Sequence, residues 1–189
     1  GGPGTRPSSF SGVMQRPDDG IAGCRNKECH RVAVMGRSNV GKTAITLRYT
    51  QDRFEDDYHP TIEDTHLKCM KSGAGGAWYM EIMDTSGSRS YAPLHRSWIK
   101  LASGFLFVFS LVERQTFDEL DDFRKELMDV YPDNPPPSVL VANRADADQS
   151  EWQVSTEEVR RLHLSWHNCL EVVYASARTG AGVAEAFEP

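Results

Sequence analysis

With 189 residues, the chain is sized for one globular domain of roughly 150 residues and a few dozen residues besides, which argues against several domains. Twenty-one Lys and Arg against 27 Asp and Glu leave a net charge of -6, so there is no overall basic field to draw in nucleic acid. Hydrophobic residues at 39% and charged residues at 25% are near globular norms and exclude wholesale disorder.

Residues 1–30 carry nine Gly and Pro positions from Gly1 to Gly23 and few large apolar groups, the composition of a flexible arm; the folded domain is expected over 31–189. Four scattered cysteines, Cys24, Cys29, Cys69 and Cys169, do not make a disulfide framework and fit an intracellular, reducing compartment. Cys24, Cys29 and His30 form at most half a zinc site, since no second ligand pair follows. The longest mostly apolar run, 101–112, is broken by Ser103, Gly104 and Ser110 and falls short of the roughly 20 residues that span a bilayer.

From Arg31 onward short apolar runs alternate with amphipathic stretches, the texture of an α/β domain around a mainly parallel sheet. Residues 32–35 read as a buried first strand, 36–41 as a glycine-bearing loop and 42–50 as a helix. The runs 67–71 and 77–83 flank Ser72, Gly73, Ala74, Gly75 and Gly76 and predict an antiparallel hairpin at the sheet edge. Residues 105–111 and 138–142 are continuous apolar runs suited to central strands covered on both faces. Between them Phe117, Leu120, Phe123, Leu127 and Val130 recur at helical spacing behind a Thr116–Glu119 capping box, predicting a single helix of about four turns. Ser155 with Glu158 repeats the capping signal before Val159 and Leu162, and 170–174 reads as a last strand. Residues 182–187 look like the start of a helix that stops within two turns, so the chain reads as a fragment.

Gly36, Arg37, Ser38, Asn39, Val40, Gly41, Lys42 and Thr43 fit G-x-x-x-x-G-K-[ST], between a strand and a helix as that motif requires. In such a loop backbone N–H groups turn inward around phosphate oxygens, Lys42 supplies a point charge, and the Thr43 hydroxyl can ligate Mg²⁺. A plain strand-to-helix turn would have no need of Lys42 and Thr43 there. Asp84, Thr85, Ser86 and Gly87 form a D-x-x-G element at the end of the second hairpin strand, placing a carboxylate near Mg²⁺ and a glycine near the terminal phosphate. Asn143, Arg144, Ala145 and Asp146 follow one buried strand, and Ser176, Ala177 and Arg178 follow the last. Both loops thus lie at strand C-terminal ends, where α/β sheets bind ligands.

With these five elements in this order, the chain resembles the Ras-like small GTPases over about residues 31–187. Its closest local stretch is Tyr58, His59, Pro60, Thr61, Ile62, Glu63 and Asp64, similar to the Ras effector loop. The resemblance implies a P-loop NTPase fold with a mostly parallel six-stranded sheet, one antiparallel edge strand and helices on both faces. It implies GTP or GDP with Mg²⁺ as ligands, with Thr43, Thr61 and Asp84 toward the metal. Asp146 would accept from the guanine N1–H and exocyclic amine, the Ala177 N–H would meet the guanine oxygen, and Phe54 would lie against the base. Ala44, Tyr58 and Pro60 join the implied nucleotide-binding set. Lys42, Thr61, the Gly87 backbone and Ser88 occupy the catalytic positions. Implied partners are effector proteins at switch I, an exchange factor and a GTPase-activating protein, with membrane attachment only through a tail beyond this chain.

The departures from the family pattern carry information of their own. Ser88 stands where the family usually has the glutamine that orients the attacking water, as in the Di-Ras branch. Ser86 replaces an alanine, and Ser38 a glycine that leaves room for an incoming arginine finger; each argues for slow hydrolysis. Arg144 and Arg178 replace lysines that lie along the base, not a neutral exchange, and His59 adds a group that titrates near neutral pH beside Asp56 and Asp57. A slow GTPase switch, a module that holds GTP for effectors without turnover, and a degenerate domain that binds nothing therefore stand side by side.

Overall fold

The computed structural model describes residues 28–55, 61–71 and 76–189. In chain order it contains β1 (Cys29–Met35), α1 (Lys42–Gln51), β2 (Glu63–Lys71), β3 (Ala77–Thr85), a short 3₁₀ turn (Arg89–Tyr91), α2 (Ala92–Leu101), β4 (Gly104–Ser110), α3 (Arg114–Asp118), α4 (Leu120–Val130), β5 (Ser138–Asn143), a second 3₁₀ turn (Gln149–Glu151), α5 (Thr156–Ser165), β6 (Cys169–Tyr174) and α6 (Val183–Phe187). The strands form one sheet in the order β2-β3-β1-β4-β5-β6. β1 runs parallel to β3 and β4, β4 to β5 and β5 to β6, while β2 is antiparallel to β3. The expected six-stranded, mostly parallel sheet with one antiparallel edge strand is therefore present.

Period two in the central strands separates two cores. Phe105, Phe107 and Phe109 of β4 point to the face covered by α2, α4 and α5, where Trp98, Leu120, Leu127 and Trp166 are buried. Leu106 and Val108 point to the opposite face, against Ile45 and Tyr49 of α1 and Val183 and Phe187 of α6. Because both faces are covered, the strands read as unbroken apolar runs instead of alternating ones. The Tyr49 and Phe187 rings stack with centroids 4.1 Å apart, fastening the last helix to the helix that follows the P-loop.

Three sequence expectations need amendment. The folded region starts before Arg31, because Cys29 and His30 already pair with Tyr79 and Met80 in the β1–β3 ladder; the rest of the predicted arm, residues 1–27, lies outside the described residues. The hairpin turn 72–75 also lies outside them. The four-turn helix is in fact α3 and α4, meeting at Glu119. The Thr116 hydroxyl donates to the Glu113 carbonyl at 2.7 Å and accepts the Ser110 N–H at 2.9 Å, so it braces the end of β4 and is not half of a capping box. At α5 the predicted box is present: Ser155 accepts from the Glu158 N–H, and Glu158 from the Ser155 N–H at 3.0 Å. The Ser155 hydroxyl, which donates to the Glu158 carboxylate at 2.7 Å, with the Ser155 N–H and Arg114, holds that carboxyl down at about 2.

Helix α2 carries no clear sequence signal. Leu94, Trp98 and Leu101 have helical spacing, yet Leu94 and Leu101 are exposed and the buried face is His95, Trp98 and Ile99. His95 is accommodated because its Nδ1 lies 2.8 Å from Glu126 on α4. Among the described residues no helix is long and apolar enough to cross a membrane.

Candidate functional site

The loop between β1 and α1 closes over the sheet's C-terminal edge because its glycines allow what a side chain would forbid. Gly41 has φ 98°, and a Cβ there would lie 2.3 Å from Asn143 Nδ2. Lys42, next in sequence, is 6% exposed, and its ammonium donates to the carbonyls of Gly36 at 2.9 Å and Arg37 at 2.8 Å. Burial lowers its pKa to about 8, with the Asp84 carboxylate pulling the other way. A buried cation bordering a cavity is the group that a phosphate would neutralise.

Beside it the three residues expected at the metal come together. Thr43 Oγ1 donates to Asp84 Oδ2 at 2.5 Å and lies 3.0 Å from Thr61 Oγ1. Asp84 is fully buried at the end of β3, and its Oδ1 has no hydrogen-bond partner among the described residues. Burial, the largest influence, raises its pKa, against the Thr43 hydrogen bond and Lys42. An all-oxygen set with a buried, half-satisfied carboxylate fits a hard divalent cation such as Mg²⁺, so the residues present suit the metal that the fold implies.

A cavity of about 800 Å³ runs from this cluster to the loops after β5 and β6, within the range of small-molecule sites. Ser38, Asn39, Gly41, Lys42, Thr43, Ala44, Phe54, Thr61, Gly87, Asn143, Arg144, Asp146, Ala177 and Arg178 all line it. Gly36, Val40, Asp84 and Ser176 stand behind the wall and shape it: Gly36 and Val40 through their carbonyls, Asp84 through Thr43, and Ser176 by accepting the Thr179 N–H at 3.1 Å. Tyr58, His59 and Pro60 lie outside the described residues. Ile62, Glu63 and Asp64 are exposed at the start of β2, and Asp64 also reaches the cavity.

Two expected roles differ in detail. The Ala177 N–H is already donated to Asn143 Oδ1 at 3.2 Å, so any ligand oxygen brought to it would share it with Asn143 or displace that acceptor. Ser88 does not line the cavity; its hydroxyl accepts the Ser90 N–H at 3.4 Å as the cap of the 3₁₀ turn, and it borders a neighbouring cleft instead. Asp146 is exposed in this state and becomes costly to leave unpaired only when a base covers it.

The structure also supplies contacts that no motif indicated. Asn143 Nδ2 donates to the Val40 carbonyl at 2.7 Å, joining the P-loop to the loop after β5. Arg48 of α1 donates from Nε to the Ala177 carbonyl at 3.0 Å and from its terminal nitrogen to Arg178 at 2.9 Å. Arg144, held at φ 63°, reaches the Asn39 carbonyl at 3.2 Å. Trp98 Nε1 donates to Glu63 Oε2 at 2.6 Å, tying the start of β2 to α2.

Such a fold and site define a small GTPase, and the comparison with protein families agrees: residues 31–189 match the Ras family. The chain belongs to that family and shares its general character of guanine-nucleotide-binding switch and GTPase. Among its relatives is human Ras-related protein R-Ras, 35% identical over 164 residues that cover 85% of this chain and 72% of that protein.

Proposed function

We propose that the chain binds GTP and GDP with Mg²⁺, hydrolyses GTP slowly on its own, and signals through the segment around Thr61 to Asp64. The observation that carries the reading is the convergence of Thr43, Thr61 and Asp84 on one point beside buried Lys42, at one end of a cavity whose far end is walled by Asn143, Asp146 and Ala177. Lys42 would hold the phosphates, and Asp146 would select guanine over adenine by accepting two donors that adenine does not present together. Thr43, Thr61 and Asp84 would hold Mg²⁺, which supplies charge neutralisation on the phosphate oxygens. Thr61 Oγ1 lies 3.0 Å from Thr43 Oγ1 and Thr61 is followed directly by exposed Ile62 and Glu63, so loss of the terminal phosphate would loosen the effector segment.

Slow turnover is supported by the Ser88 side chain, which is short and already engaged as a turn cap. Ser88→Gln is expected to raise the single-turnover rate if a missing water-orienting amide is the limit; an unchanged rate would favour the second reading, a module that stays GTP-bound for its effectors. Titration with GDP, GTP and ATP, with and without Mg²⁺, tests the proposal. Guanine-selective binding weakened by a chelator is expected, and equal affinity for ATP would overturn it. Effector proteins at switch I, an exchange factor and an activating protein are the partners this reading requires.

A further inference from the structure

A second cleft of about 410 Å³ opens between the P-loop and the segment after Asp84, and Ser38 and Gly87 border both it and the nucleotide cavity. Gly87 rests on the P-loop so closely that a Cβ would lie 2.2 Å from the Arg37 carbonyl carbon and 2.3 Å from the Ser38 nitrogen. Residue 89 therefore leaves the backbone two positions from the place where the terminal phosphate is expected. Into this cleft the chain puts two guanidinium groups. One oxygen of Glu119, at the junction of α3 and α4, accepts from Arg37 at 3.2 Å, from Arg89 at 3.2 Å and from Gln115 at 3.0 Å.

The two arginines are held unequally. The Arg37 side chain is 29% exposed and its carbonyl is fixed by the Lys42 ammonium at 2.8 Å. The Arg89 side chain is 82% exposed and, among the described residues, has this one ion pair, a class of contact that contributes little to stability. If Arg89 leaves, Glu119 keeps Arg37 and Gln115, so no buried charge is stranded.

We propose that Arg89 is a catalytic residue of this GTPase: it swings from Glu119 to the terminal phosphate and supplies from within the chain the positive charge that an arginine finger brings from outside. Glu119 then holds Arg89 at rest, away from the phosphate. The inference rests on the proposed GTP site. In the step it assists, a bond forms between a water oxygen and the terminal phosphorus, and the bond to the β–γ bridging oxygen breaks. The electron pair stays with GDP, the water proton passes to the released phosphate, and Arg89 remains protonated throughout, donating N–H bonds to oxygens whose charge grows.

The test compares wild type, R89A, R89K and E119Q in three measurements: affinity for GDP and GTP, single-turnover hydrolysis with Mg²⁺, and capture of aluminium fluoride by the GDP-bound protein in the absence of any partner, read by fluorescence of a labelled nucleotide. R89A is expected to keep both nucleotide affinities, to lose at least about tenfold in hydrolysis, and to lose aluminium fluoride capture. R89K should fall between R89A and wild type, because an ammonium carries the charge without the forked geometry. E119Q should match or exceed wild type, since Arg89 is then parked less firmly. Hydrolysis by R89A within twofold of wild type, with capture intact, would overturn the proposal. So would a loss in E119Q equal to that in R89A, which would assign the effect to the ion-pair cluster and not to the guanidinium. Failure of the wild type itself to bind guanine nucleotide is the separate result that removes the site on which the inference rests.

Discussion

At the phosphate end of the cavity the wall is made by residues close in sequence, Gly36 through Thr43, folded back by glycines so that a buried ammonium caps two carbonyls of its own loop. At the other end the wall is made by two loops far apart in sequence, those after β5 and β6, held to the P-loop and α1 by long-range side-chain bonds: Asn143 to Val40, Arg144 to Asn39, and Arg48 to Ala177 and Arg178. The first is rigid because the chain has no other way to turn there. The second is rigid only while its braces hold, which makes it the place where small side-chain changes should loosen the ligand without unfolding the protein.

The sharpest way to separate the two ends is through pH. Lys42 sheds its proton near pH 8 in the folded chain but keeps it to about 10.5 when unfolded. The unfolded state thus binds more protons between those values, and the nucleotide-free protein should gain stability as pH rises through that window, by up to roughly 3 kcal/mol. Urea unfolding of wild type and Lys42→Met at both ends of the window measures it; an equal pH response in the two proteins would show that the phosphate end stores no such charge. Asn143→Ala should come next, because it strips a partner from both the Val40 carbonyl and the Ala177 N–H. Guanine nucleotide affinity should fall roughly ten- to a hundredfold, measured by titration with a fluorescent analogue.

Arg48→Met keeps the apolar stem but removes the donors to the loop after β6. An increase of about tenfold in the nucleotide dissociation rate is expected, followed by displacement of the same analogue, with the thermal midpoint little changed. Loss of the fold instead would mean that the far end is structurally as rigid as the phosphate end. Ser155→Ala, remote from both ends, should cost about 1 kcal/mol in stability through the lost cap and leave affinity untouched, which fixes the scale for a change that has nothing to do with the site.

The same contrast explains what could be read from the residue string. Gly36 to Thr43, Asp84 to Gly87, Asn143 to Asp146 and Ser176 to Arg178 are contiguous, and their chemistry demands fixed spacing, so each was visible as a pattern. Arg48 was not, because the carbonyls it holds lie 129 and 130 residues away and its place in a helix looks like any exposed cation. The break at Glu119 was hidden for a related reason: the apolar spacing continues across it, while the deciding contacts of Thr116 and Glu119 go to β4, the P-loop and Arg89. In α2 the buried face mixes Trp98 and Ile99 with a histidine paired to Glu126, while two leucines face outward, so no apolar stripe marks the helix in the sequence. The mainly parallel sheet followed from the alternation of strand and helix signals.

The most direct test of the account is the nucleotide that the protein itself retains. Purified in the presence of Mg²⁺, denatured and run on an ion-exchange column beside standards, it should release close to one equivalent of guanine nucleotide, with GDP marking turnover and GTP marking the effector-holding form. An empty protein, or one that releases adenine nucleotide, would contradict the claim that Lys42, the Thr43–Thr61–Asp84 cluster and Asp146 form a guanine nucleotide site.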